Sequence, residues 1–210
     1  MVAIAMPLDF NLRMLTVSTS SSTSFSLIKR VQAFEPEAWS VFSRIYTPLV
    51  YRWIRQTGLQ SQDAADVLQN VFMSVIRGVE RFTFDRPDAS FRGWLRIITR
   101  NAVLQHVRQR RADIATMGGS KMQALLNEQP DLSELEGDSA DLQSLTSLTH
   151  RALEIVRERV DARVWDAFWR TTVGQESAPE VAAELGMTST AVRQAKFRVL
   201  CKLRDLLADR

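Results

Sequence analysis

The sequence predicts an all-α protein: two helical domains joined by a flexible acidic linker, the C-terminal one a helix-turn-helix. Three observations predict it. Every strongly patterned segment repeats its apolar residues at three- and four-residue spacing, and none alternates as a strand would. Residues 177–207 read as a short helix, a glycine turn and a longer helix. Between the patterned halves, residues 112–149 hold seven acidic residues against one lysine, with Gly118, Gly119, Pro130 and Gly137 among them.

The whole chain sets the bounds. Its 210 residues allow one or two domains, and 45% hydrophobic with 24% charged residues describes a globular chain. A net charge of +3 is mild, so basic character must be judged where it clusters. Cys201 is the sole cysteine, which excludes an intramolecular disulfide and fits a reducing cytoplasm. No apolar run approaches the ~20 residues of a spanning helix, so no membrane insertion is expected. Residues 1–22, ending in TVSTSSST, read as a disordered tail, with Met14 an alternative start. Internal repeats are absent.

The first helix starts at Pro36, where proline suits the first turn and Glu35 and Glu37 meet the helix dipole. Trp39, Phe42, Ile45 and Tyr46 form its apolar face. Pro48 is expected to bend or break it before Val50, Trp53 and Ile54, and Gly58 to stop it. Ser61 is read as the cap of a second helix, with Asp63 in its first turn. The core stripe of that helix is read as Leu68, Val71, Phe72, Val75, Ile76 and Val79. FTFDRPDAS, residues 82–90, is a loop, and Ser90 caps the helix that follows.

That helix, FRGWLRIITRNAVLQHVRQRR over 91–111, carries six arginines, one histidine and no acidic residue. At 100° per residue, Trp94, Ile97, Ile98, Ala102 and Leu104 fall on one side, read as core. Arg92, Arg96, Thr99 and Arg100 fall on the other, extended by His106 and Arg110. Such a face can track a phosphate backbone, each contact releasing a counterion. A merely solvated basic face is the ordinary alternative. The lack of an internal acid favours nucleic acid, as do Phe82, Phe84, Phe91 and Trp94 nearby, flat surfaces for unstacked bases. For Trp94, core packing is the plainer role.

Beyond the linker, which allows a helical turn at Met122–Leu126, periodicity returns near Leu148 and runs through Leu153, Val156 and Val160. Trp165, Phe168 and Trp169 follow. Then Ser177 and Glu180 form a capping box, S-x-x-E, with Pro179 in the first turn. Gly186 turns the chain, and Thr188 caps a helix whose Val192, Val199, Leu200, Leu203 and Leu207 point inward. Its outer side offers Ser189, Thr190, Arg193, Gln194, Lys196, Phe197 and Arg198, with no acid from Thr188 to Lys202. In a helix-turn-helix such side chains reach base edges and phosphates. An ordinary helical hairpin with a solvated basic face is the alternative.

Here a family resemblance becomes specific. LIKRV (27–31), AWSVFSRIYTPLVYRW (38–53), DAADVLQNVF (63–72), FRGWLRIITRN (91–101) and ELGMTSTAVRQAKFRVLCKLR (184–204) resemble bacterial RNA polymerase sigma factors of the extracytoplasmic-function (ECF) type. The resemblance implies a promoter-melting region two over residues 23–111, a linker over 112–149 and a −35-reading region four over 150–210. It implies that Asp66, Gln69, Asn70, Met73 and Arg77 grip core RNA polymerase, with Asn70 standing where an acidic residue is usual. The loop 83–90, with Phe84, would capture a flipped base. Phe91, Arg92, Arg96, Arg100, Asn101, His106 and Arg108 would hold the −10 strand. Ser189, Thr190, Arg193, Gln194, Lys196, Phe197 and Arg198 would serve −35 recognition, and Ala195 stands where an arginine is frequent. The implied partners are core RNA polymerase and promoter DNA, with an anti-sigma factor as the common restraint on such proteins.

An enzyme is not expected. His106 and His150 lie far apart in the chain, and no acid–histidine–nucleophile set stands out. No ligand cluster suggests a metal, and no cofactor or small-molecule substrate is implied. Cys201 reads as a small buried hydrophobe. The competing class is a conventional helix-turn-helix regulator that binds palindromic DNA as a dimer, with residues 24–111 a dimerisation or effector domain. The arginine helix speaks against it, since a dimerisation domain has no need of one.

Overall fold

The computed structural model describes residues 27–83, 90–117, 130–132, 135 and 139–207. Among the described residues there are eight α-helices and no strands. They are α1 (Leu27–Gln32), α2 (Pro36–Gln56), α3 (Ser61–Gly78), α4 (Phe91–Met117), α5 (Ser139–Glu158), α6 (Ala162–Thr172), α7 (Ala178–Leu185) and α8 (Ser189–Leu207), with a 3₁₀ turn at Val79–Arg81. The chain divides into two compact units between Arg151 and Ala152. The expected tail, Phe84, Met14 and the turn at Met122–Leu126 lie outside the described residues.

In the first unit α2 packs on α1, α3 and α4, and α3 packs on α4. The six-residue α1 escapes a periodicity reading because it spans under two turns, yet it buries Leu27, Ile28 and Val31. Pro48 neither breaks nor ends α2, which runs continuously for 21 residues. Its buried face, from Ala38, Val41 and Phe42 to Trp53 and Ile54, continues on both sides of the proline. Gly58, at φ +88°, closes the helix end as expected, its amide bonding to the Arg55 carbonyl. Ser61 is not the cap of α3: it is the first helical residue, and Gln60 precedes it without a side-chain cap.

The stripe of α3 is borne out at Val71, Val75 and Val79, each 0% exposed, and departs from its expected course at the other three positions. Ala64, Val67, Val71 and Val75 are buried, whereas Leu68 and Phe72 are half-buried and Ile76 is 42% exposed. Larger side chains beside the seam drew the reading toward them, while the seam itself is lined by small ones. Aromatic rings fill the space between helices. Phe91 meets Phe42, Tyr46 and Phe82 edge-on at 5.5–5.7 Å. Trp94 lies on Phe82 at 5.1 Å, and a Cβ at Gly78 would stand 3.2 Å from the Trp94 ring, so glycine is what lets the indole settle there.

Helix enters the expected linker from both ends, since α4 continues to Met117 and α5 begins at Ser139. Leu135 is itself buried. The acidic composition hid this, because acids on a helix's wet face leave its apolar positions unaltered. In the second unit α6, α7 and α8 pack on one another. Ala167, Val181, Ala182, Val192 and Ala195 form one buried cluster between them. The inward face of α8 is Val192, Ala195, Val199, Leu203 and Leu206, with Leu200 and Leu207 only half-buried.

Candidate nucleic-acid interface

The capping chemistry at α7 and α8 is as the sequence reads. The Ser177 amide and hydroxyl both donate to the Glu180 carboxylate, and the Glu180 amide donates back to the Ser177 hydroxyl. The serine hydroxyl holds the Glu180 carboxyl below its ordinary value. Gly186 takes φ +61°, the left-handed conformation that turns the chain with no Cβ in the way. The Ala191 amide then donates to the Thr188 hydroxyl. One feature was not legible in advance: Arg170 of α6 bonds both Glu176, in the approach to α7, and Glu184, near its end. Arg170 thereby ties α6 to both ends of the short helix, and its hydrogen bond lowers the Glu176 carboxyl.

From this base α8 presents Thr190, Arg193, Gln194, Phe197 and Arg198 to solvent. Phe197 is 58% exposed, which no packing role explains. Ser189 is half-buried. So is Lys196, whose ammonium leans 3.5 Å toward the Thr171 carbonyl at the end of α6. Ala195 is 3% exposed within the core cluster, so an arginine there would be directed into packed side chains rather than toward a phosphate. Cys201 is half-buried, with Arg204 donating to its sulfur at 3.8 Å.

The arginine helix differs from its expected wheel. The buried positions of α4 are Phe91, Leu95, Thr99, Ala102 and Val103. Thr99 was expected outside and is 0% exposed, whereas Ile97 was expected inside and is 60% exposed. Thr99 can be buried because its hydroxyl donates to the Leu95 carbonyl one turn back, at 2.8 Å. The rotation changes what the cations do. Arg92, Arg96 and Arg100 are half-buried along one edge of the packed stripe, and the Arg96 guanidinium lies 5.2 Å from the Trp53 ring centroid. Asn101 and Arg108, with Ile97, form the outer face. Phe91 cannot stack on a base: it is wholly buried among rings.

Nor is the basic segment free of acid, because α3 supplies one. Asp63 bonds Arg110 and stands 3.6 Å from His106 Nε2, so both side chains expected to extend the phosphate face are turned toward α3. The outward side of α3 is as expected, with Asp66, Gln69, Asn70, Met73 and Arg77 all exposed. Ile76, 42% exposed, adjoins Met73 at 47% on that surface and was missed because it was counted in the core.

Residues 42–112, spanning most of α2, all of α3 and the arginine face of α4, match the model of sigma-70 region 2. Over 191 residues, 91% of its length, the chain is 26% identical to the ECF RNA polymerase sigma factor BldN of Streptomyces coelicolor. The chain is similar to ECF RNA polymerase sigma factors. Over 181 residues, 81% of its length, the chain is also 29% identical to the ECF RNA polymerase sigma factor SigE of Mycolicibacterium smegmatis. It spans 68% of the first relative's length and 62% of the second's. A solved structure, CnrH in complex with the cytosolic domain of CnrY, shares 22% identity, covering 88% of this chain and 97% of that one. The TM-score of that overlap is 0.33. Among the described residues, no helix is long and apolar enough to cross a membrane, and no group of three or more metal-ligating side chains comes together.

Proposed function

We propose that the protein is a sigma factor that binds core RNA polymerase, recognises −35 and −10 promoter elements and helps open the −10 region. One observation carries this reading. The stretch that matches sigma-70 region 2 coincides with the helices whose outward faces bear the candidate contacts. The side of α3 with Asp66, Gln69, Asn70, Met73, Ile76 and Arg77 docks on the polymerase. Asn101, Arg108 and the edge arginines Arg92, Arg96 and Arg100 hold the −10 strand. Residues 150–210 act as region four, with Thr190, Arg193, Gln194, Phe197 and Arg198 of α8 facing the −35 major groove. An anti-sigma partner belongs to this reading on the family resemblance alone.

Co-elution of the purified chain with sigma-free core polymerase, at moderate salt and without DNA, tests the reading. A stable one-to-one complex is expected. If the chain instead elutes apart from core as a dimer that binds a palindromic duplex tightly, it is a conventional regulator and the proposal fails.

A further inference from the structure

Arg110 and His106 lie one turn apart on α4, and both face the carboxylate of Asp63 in the first turn of α3. Asp63 is only 22% exposed, while Arg110 is 45% exposed. Arg108 is exposed, has no acidic partner among the described residues, and projects from the opposite side of the helix, 200° from Arg110 at 100° per residue. A phosphate approaching Arg110 would have to displace a carboxylate already seated there. One approaching Arg108 displaces only water and counterions. We infer that Asp63 is a positioning residue that acts as an internal stand-in for phosphate, withdrawing Arg110 and His106 from DNA and leaving Arg108 to contact the bound strand at that end of α4. This deepens the proposed function and rests on its assignment of α4 to DNA.

Counterion release makes the inference measurable. Each single-strand phosphate contact contributes about 0.7 to the slope of log affinity against log salt. A cation already neutralised by Asp63 contributes nothing, and removing the acid should recruit it. The experiment uses holoenzyme assembled from the full chain and core polymerase, with a duplex carrying an oligo(dT) overhang as probe. Slopes are compared between variants, so contacts made by core cancel. Arg110→Gln should leave the wild-type slope unchanged. Asp63→Asn, which keeps the side chain's shape, should steepen it by about 0.7. Arg110→Gln in that background should restore it. Arg108→Gln should flatten the wild-type slope by about the same amount.

The inference is overturned if Arg110→Gln alone flattens the slope, or if Asp63→Asn leaves it unaltered. Should Asp63→Asn fail to fold, the single Arg110→Gln measurement still decides. If Arg108→Gln also has no effect, α4 does not hold DNA and the parent reading of that helix falls with the inference. Flattening by Arg108→Gln together with flattening by Arg110→Gln sinks only the role of Asp63.

Discussion

Two phenylalanines set the limits of what residue type alone can say. Phe91 and Phe197 both sit on arginine-bearing helices, and both are candidates for apolar contact with nucleic acid. The structure separates them, with Phe91 0% and Phe197 58% exposed. Phe91 is the ring on which Phe42, Tyr46, Phe82 and Trp94 converge. Truncating a buried phenylalanine removes its transfer energy and leaves a cavity its neighbours only partly fill. Phe91→Ala should therefore destabilise the chain by about 3–5 kcal/mol. Phe197→Ala should stay within about 0.5 kcal/mol of wild type, since the ring is out in solvent. Denaturant unfolding of both full-length variants checks the pair. Equal stability losses would mean that Phe197 is packed after all.

The elements of the second unit are tied by side-chain bonds as well as by their buried core. Two carboxylates near α7 are lowered from their ordinary values, Glu176 by the hydrogen bond from Arg170 and Glu180 by that from Ser177. A folded-state value below the unfolded one means stability that is fully present above the ordinary carboxylate range. It is lost as pH falls through the depressed folded values. Melting temperature should thus fall on acidification below about pH 4.5, the ordinary value, and Glu176→Gln with Glu180→Gln should blunt that fall. Identical acid profiles for the variant and wild type would show that these bonds are not formed in solution. These caps were legible because their spacing is local: Ser177 reaches Glu180, Thr188 reaches Ala191, and Gly186 answers a backbone need. The phase of α4 was not. Thr99 conceals its hydroxyl against its own helix, so a polar residue counts as core, and Ile97 lies in the open. Arg170 and Asp63 were equally hidden, because their partners stand on other elements or across a loop.

At the scale of the whole molecule the question is why two units with two basic faces share one chain. Neither face is large. The exposed cations of α8 and the outer side of α4 offer a few contacts each, and a few phosphate contacts are easily lost in salt. On the proposed function, joining them makes the second contact intramolecular, and its effective concentration replaces affinity that neither face has to supply alone. This arrangement makes a definite demand on mutants. Arg193→Ala should weaken binding by roughly 1–3 kcal/mol if the guanidinium reads a base. Combined with Arg108→Gln, the losses should add to within about 0.5 kcal/mol, since the two side chains belong to separate units with no shared partner. Holoenzyme affinities on a fragment holding both promoter elements, and on one cut between them, check this. On the intact fragment both substitutions should cost affinity. On the cut −10 piece Arg193→Ala should cost nothing. A loss there as well would mean that α8 holds the melted strand rather than the upstream duplex, and the division of labour between the two units would have to be redrawn.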